Sequence, residues 1–134
     1  MEITVQSPGG QVMEARFNEF KIATDQPLAD GGTNTAPSPF DLFLASLATC
    51  AGCYVTAFCR ERGLPTEGIV LKMTNDWNDL SHRVASIAIT IELPDGFPAK
   101  YERAVSRAAG MCTVKRHMEK PPAFVITTRN GRSA

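Results

Sequence analysis

Hydrophobic and polar positions along the chain follow two periods. Over residues 12–23 the pattern is a rough alternation, with Val12, Ala15, Phe17, Phe20 and Ile22 apolar and a break near Asn18. Period two marks half-buried strands, so two strands are expected there. Ile3 to Val5 reads as a short strand before them, with Ser7-Pro8-Gly9-Gly10 as the turn. Alternation returns at Ile69, Leu71 and Met73 against Val70, Lys72 and Thr74. It is clearest over Val84 to Leu93, where Ile87, Ile89, Ile91 and Leu93 share one face. Asn75-Asp76-Trp77-Asn78-Asp79, between these runs, is turn chemistry with one large aromatic. Tyr101, Ala104, Val105, Ala108 and Cys112 then keep helical spacing. Gly110 is expected to end that helix, Thr113 to Glu119 to add a short one, and Ala123 to Thr128 to form a last strand after Pro121-Pro122.

One stretch, from Ser38 to Gly63, organises the rest. Ser38 suits an N-cap, Pro39 the first helical position and Asp41 the acidic place in a capping box. Arg60, Arg62, Gly63 and Pro65 are the corresponding stop. Such a helix of about 24 residues would be roughly 36 Å long. Between Asp41 and Arg60 it carries no charge, and Leu42, Phe43, Leu44, Leu47, Tyr54, Val55 and Phe58 are spread around its wheel. A helix apolar on all sides must be covered on all sides. A membrane span is the competing reading. The many small and hydroxyl residues, the three cysteines and the need of the remaining chain for a core favour a buried helix. A 134-residue chain rarely encloses so long a rod, so a second subunit is expected to cover it. Strands, helix, strands, helix and strand give an α+β class with antiparallel sheet, in a single domain spanning residues 1–134.

Composition changes this picture little. The chain is 43% apolar and 21% charged, with fourteen basic and fourteen acidic residues, so nothing points to nucleic acid or an anionic membrane surface. No basic segment precedes an apolar one at the start, which makes a cytoplasmic location and free thiols the expectation.

The four cysteines carry the candidate chemistry. Cys50 would lie far inside its helix, beyond the helix-end charge, so a thiolate there needs a tertiary partner, for which an arginine is the first expectation. The plainer reading of Cys50 is a small buried hydrophobe. Cys112 sits where one helix ends and another begins; the N–H groups of Thr113 and Val114 would favour its thiolate, with burial as the competing reading. Cys53 points about 60° from Cys50, and Cys59 to the opposite side, so the three cannot serve one site. A single Cys50-x-x-Cys53 pair is a weak metal signal, even with His82 and His117 to complete a tetrahedral set. A thioredoxin-like use would want the pair at a helix start. No phosphate-binding loop and no cofactor motif is present.

The run Thr35-Ala-Pro-Ser-Pro39-Phe-Asp-Leu-Phe-Leu-Ala-Ser-Leu-Ala-Thr-Cys50 resembles the signature of the OsmC/Ohr proteins, and Ala108-Ala-Gly-Met-Cys112 resembles their second cysteine after a helix. The resemblance implies an OsmC-like fold: antiparallel sheets around a long buried central helix, in an intertwined homodimer with sites at its interface. It also implies thiol-dependent reduction of small hydroperoxides. Cys50 would be the peroxidatic nucleophile and Cys112 its resolving partner, with no metal or cofactor. A small dithiol or lipoyl-type reductant would restore both thiols. The match departs at three places: Phe40 stands where the family's peroxidases carry glutamate, with Asp41 one step on; no arginine follows the first strand, leaving Arg16 as the candidate from another strand; and Thr113 replaces a proline. The alternatives are a non-catalytic or weakly active small-molecule binding protein with an apolar pocket, and a metal-bound scaffold.

Overall fold

The computed structural model describes residues 1–131. The chain divides into two compact units, Met1–Thr49 and the residues from Cys50 onward.

The first unit opens with an antiparallel meander of β1 (Thr4–Gly9), β2 (Val12–Phe17) and β3 (Phe20–Thr24). The β1–β2 turn is tighter than the four residues 7–10 expected, because β1 runs on to Gly9, which pairs with Val12 past an irregularity in register. Gly9 and Gly10 both take positive φ, and only Gly10 remains outside the strand on that side. Asn18 turns the chain at φ 51°, which lets Phe17 pair with Phe20, ring centroids 5.8 Å apart.

After β3 the chain is tied into a knot around one buried carboxylate. Oδ2 of Asp25 accepts from the hydroxyls of Thr33 (2.6 Å) and Thr35 (2.8 Å) and from both of their backbone N–H groups. Oδ1 accepts from the Gln26 N–H at 2.8 Å. These bonds to the ionised form, the Thr33 hydroxyl first, hold the Asp25 carboxyl well below the usual carboxylate range. Gly32 is required here: a Cβ would fall 1.9 Å from the Gln26 carbonyl oxygen. The Asp25 N–H then donates to the Pro37 carbonyl, placing the start of the long helix directly after the loop.

That helix, α1, spans Pro39–Glu61. Its start is the expected capping box: the Asp41 N–H donates to Ser38 Oγ, and the Ser38 N–H to the Asp41 carboxylate, each at 3.1 Å. Its end is a Schellman motif. Gly63 takes φ 65°, its N–H donates to the Arg60 carbonyl, and the Leu64 N–H reaches the Cys59 carbonyl. Within the chain α1 buries one stripe, Leu47, Ala51, Val55 and Cys59, at four-residue spacing. The all-round burial expected from its apolar wheel is therefore not achieved by this chain alone.

In the second unit β4 (Val70–Asn78) and β5 (Arg83–Glu92) form a long antiparallel hairpin, followed by α2 (Glu102–Gly110) and α3 (Thr113–Glu119). Ala51, Val55 and Cys59 of α1 meet Val105 and Ala109 of α2, and Leu71, Ile89 and Ile91 of the hairpin pack against this cluster. The hairpin extends through Asn75–Asn78, which sequence suggested was the turn. Cross-strand pairing carries these polar residues: Ser86 donates to Asp76, and a bulge adjusts the register at Trp77. The reversal comes later, where Asn78 Oδ1 accepts from the N–H groups of Leu80 and Ser81. Residues 121–130 form no strand among the described residues. Their β-forming sequence lacks a pairing edge in this chain, and Phe124, Val125 and Ile126 are 82%, 87% and 91% exposed.

Candidate thiol site

Cys50 lies mid-way along α1, half buried. Cys112 is the N-cap of α3, buried, at the point where Gly110 and Met111 have ended α2. The structure brings these two sulfurs together although 62 positions separate them in sequence. The groups that act on the Cys50 thiol as hydrogen-bonding neighbours are the Val114 N–H, the Cys112 thiol and the Thr113 N–H.

The electrostatics follow from that arrangement. Hydrogen bonding, the Val114 amide foremost, moves the Cys50 thiol below its ordinary range, against an opposing effect of burial. Burial pushes the Cys112 thiol up, and its bond to Cys50 does the same by favouring the protonated form. The Lys115 N–H, 3.5 Å from Cys112 Sγ, works the other way. The two thiols are thus shifted in opposite directions, Cys50 toward the thiolate and Cys112 toward the protonated form.

The tertiary partner expected to be an arginine is a pair of backbone amides. The amide of Val114, expected to favour the Cys112 thiolate, does so and favours that of Cys50 as well, while the amide of Thr113 acts on Cys50. Sequence could not show this, since every residue but proline offers the same donor. Thr113 matters for the same reason: it has an N–H to give. The other two cysteines stand apart from the pair. Cys59 is fully buried in the core and its thiol is pushed up by burial, while Cys53 is exposed.

Of the other candidate residues, Asp41 is engaged in the α1 capping box, and Arg16 lies on β2 with Nη2 3.3 Å from Glu14. Both belong to the first unit. His117 Nδ1 is 2.7 Å from the Thr113 carbonyl oxygen, and His82 is in the β4–β5 turn at φ 52°. Among the described residues no three His, Cys, Asp or Glu side chains converge on a metal-sized site. The Asp25 knot went unread in the sequence; its signal was an aspartate followed by Gly31-Gly32-Thr33-Asn34-Thr35.

A largely apolar groove of about 540 Å³ lies farther along α1 and is lined by neither Cys50 nor Cys112. It is lined by Tyr54, one turn beyond Cys50, by Ala57 and Phe58 farther along α1, by Ala108 and Met111, and by Arg62 at its far end.

The model of the OsmC-like protein family matches residues 32–127. No curated protein sequence matches the chain. Solved structures do. An osmotic-stress-induced and detoxification response protein of Psychrobacter arcticus aligns with a TM-score of 0.75 at 24% identity, over 85% of each chain. An OsmC-like protein from Mycoplasma pneumoniae aligns at 0.72 and 15% identity, over 90% of this chain and 87% of its own. The organic hydroperoxide resistance protein OhrB of Bacillus subtilis aligns at 0.56 and 16% identity, over 90% and 93%. At these identities the likeness establishes the fold.

Proposed function

The chain belongs to the OsmC-like protein family, and from that premise we propose that it is a cytoplasmic thiol-dependent reductase of small organic hydroperoxides, acting through Cys50 and Cys112 as a homodimer. The observation that carries the reading is the meeting of the Cys50 and Cys112 thiols at the start of α3, with Cys50 shifted toward the thiolate and Cys112 toward the protonated form. The names of the structural relatives, hydroperoxide resistance among them, agree with it.

In this reading the Cys50 thiolate attacks the outer oxygen of the peroxide. The sulfur–oxygen bond forms as the O–O bond breaks, and the alkoxide leaves as the alcohol after taking a proton. Cys50 is oxidised by two electrons to the sulfenic acid. Cys112 then attacks the sulfenic sulfur, the disulfide forms, and hydroxide leaves as water with the Cys112 proton. A small dithiol of the lipoyl type reduces the disulfide by exchange and closes the cycle. The groove that begins at Tyr54, one turn beyond Cys50, and at Met111, next to Cys112, is the candidate place for an apolar substituent of the peroxide. The reading requires no arginine on Cys50, because the α3 amides supply the stabilisation.

The homodimer is supported by what this chain leaves uncovered. Outside its one buried stripe α1 presents an uncharged flank, and Phe124 to Ile126 lie in the open. Helix α1 is also long and apolar enough to cross a membrane by length and composition. Its packing against α2 and the β4–β5 hairpin supports the soluble reading.

A steady-state assay tests the function. Purified protein with an organic hydroperoxide and a dithiol is expected to consume peroxide, and Cys50→Ser to abolish this. Binding of apolar ligands without turnover, unaffected by Cys50→Ser, would favour the alternative of a non-catalytic binding protein in the same groove.

A further inference from the structure

The amides that stabilise Cys50 belong to α3, and α3 has little of its own to hold it in place. It is seven residues long and contains no buried residue. A helix that short does not persist in water on its own propensity. Its position over Cys50 must come from contacts made at its first turn.

The strongest such contact outside the cysteines is a side-chain bond across 59 positions of sequence: the Tyr54 hydroxyl and Thr113 Oγ1 lie 2.6 Å apart. Tyr54 follows Cys50 by four residues, so both project from one face of α1. The same helix face therefore carries the sulfur and the anchor for the amides that point at it. Thr113 is fixed a second time through its carbonyl oxygen, which the ring Nδ1 of His117 approaches to 2.7 Å. Its side chain is tied to α1, and its carbonyl, which shares a peptide plane with the Val114 N–H, is tied within α3, so the first turn of α3 is held from two sides.

We propose that Tyr54 and Thr113 form a latch that holds the first-turn amides of α3 on the Cys50 sulfur, making Tyr54 a positioning residue for the reacting thiol. The proposal rests on the reading of Cys50 as that thiol. Without the phenol hydroxyl the Thr113 and Val114 amides lose their fixed distance from the sulfur, and the thiolate loses preferential stabilisation while the fold is kept. Thr113→Ser retains a hydroxyl at the same place and keeps the latch; Thr113→Val matches the shape and removes the bond. The titratable and charged groups on the elements that meet here are Cys112, Tyr54, Lys115 with its Glu119 partner, Arg116 and His117.

The test is the pH profile of Cys50 alkylation by iodoacetamide, resolved by site with mass spectrometry, in the wild type, Tyr54→Phe, Thr113→Val and Thr113→Ser, with thermal melts in parallel. The wild-type midpoint is expected below that of a free cysteine, about 8.5. Tyr54→Phe and Thr113→Val should each raise it, so that alkylation at neutral pH slows by roughly three- to tenfold, a tenfold loss being one pH unit of midpoint. Thr113→Ser should stay with the wild type. A lower melting temperature with an unmoved midpoint would mean that the bond is only structural, and would overturn the proposal. A wild-type midpoint already at the free-cysteine value would overturn the assignment of Cys50 as well, which separates the two failures.

Discussion

At the scale of the residue, two side chains are defined by the donors around them. The sequence marks Cys50 as a candidate, but the amides that shift its thiol toward the thiolate carry no residue signature. Asp25 is the opposite case, a carboxylate whose partners are two threonines and three amides, all within the following ten residues. Its folded-state pKa is depressed, so the stabilisation it supplies is complete above the unfolded value of about 3.9 and is lost as the pH falls through the folded value. Asp25→Asn is therefore expected to lower the melting temperature at pH 7. The difference from wild type should shrink as the pH is taken below about 4. Melts across that range check this, and a difference independent of pH would mean that the charge is not what the loop depends on.

At the scale of the element, the legible parts were those with their own punctuation. Ser38, Pro39, Asp41 and Gly63 mark the ends of α1, and the structure places its start at Pro39 and its end at Glu61. The bounds of α3 were equally clear. The β4–β5 hairpin was misjudged at its tip because Asn75 to Asn78 have turn composition, yet cross-strand pairing rather than propensity decides their conformation. The segment after Pro122 was misjudged for the converse reason: its sequence suits a strand, but a strand needs a neighbour. Within α1, Val55 has no exposed surface and sits where α1 meets α2 and the hairpin. Val55→Ala should cost about 2 kcal/mol, from the lost methyl groups and the space they leave. Denaturant titration measures it, and a loss near zero would show that this contact is not the core.

At the scale of the whole molecule, α1 is the point of tension. Its sequence calls for cover on every side, and this chain supplies cover along one stripe. In the proposed dimer a second copy would cover the rest of α1 with the same apolar residues and would give the exposed Phe124 to Ile126 segment a place to pack. Light scattering on the purified protein should give twice the 14.5 kDa chain mass; a monomer with α1 exposed would contradict the dimer. The central claim, however, is that Cys50 and Cys112 work as one redox pair, and it can be tested without knowing the physiological substrate. The fully reduced protein is treated with one equivalent of an organic hydroperoxide, quenched in acid and digested without reductant, and its cysteine-containing peptides are mapped by mass spectrometry. The account predicts a single new species in which the Cys50 and Cys112 peptides are joined by a disulfide, with Cys59 still a thiol. Recovery of Cys50 and Cys112 as unmodified thiols, or a disulfide joining Cys50 to Cys53 instead, would contradict it.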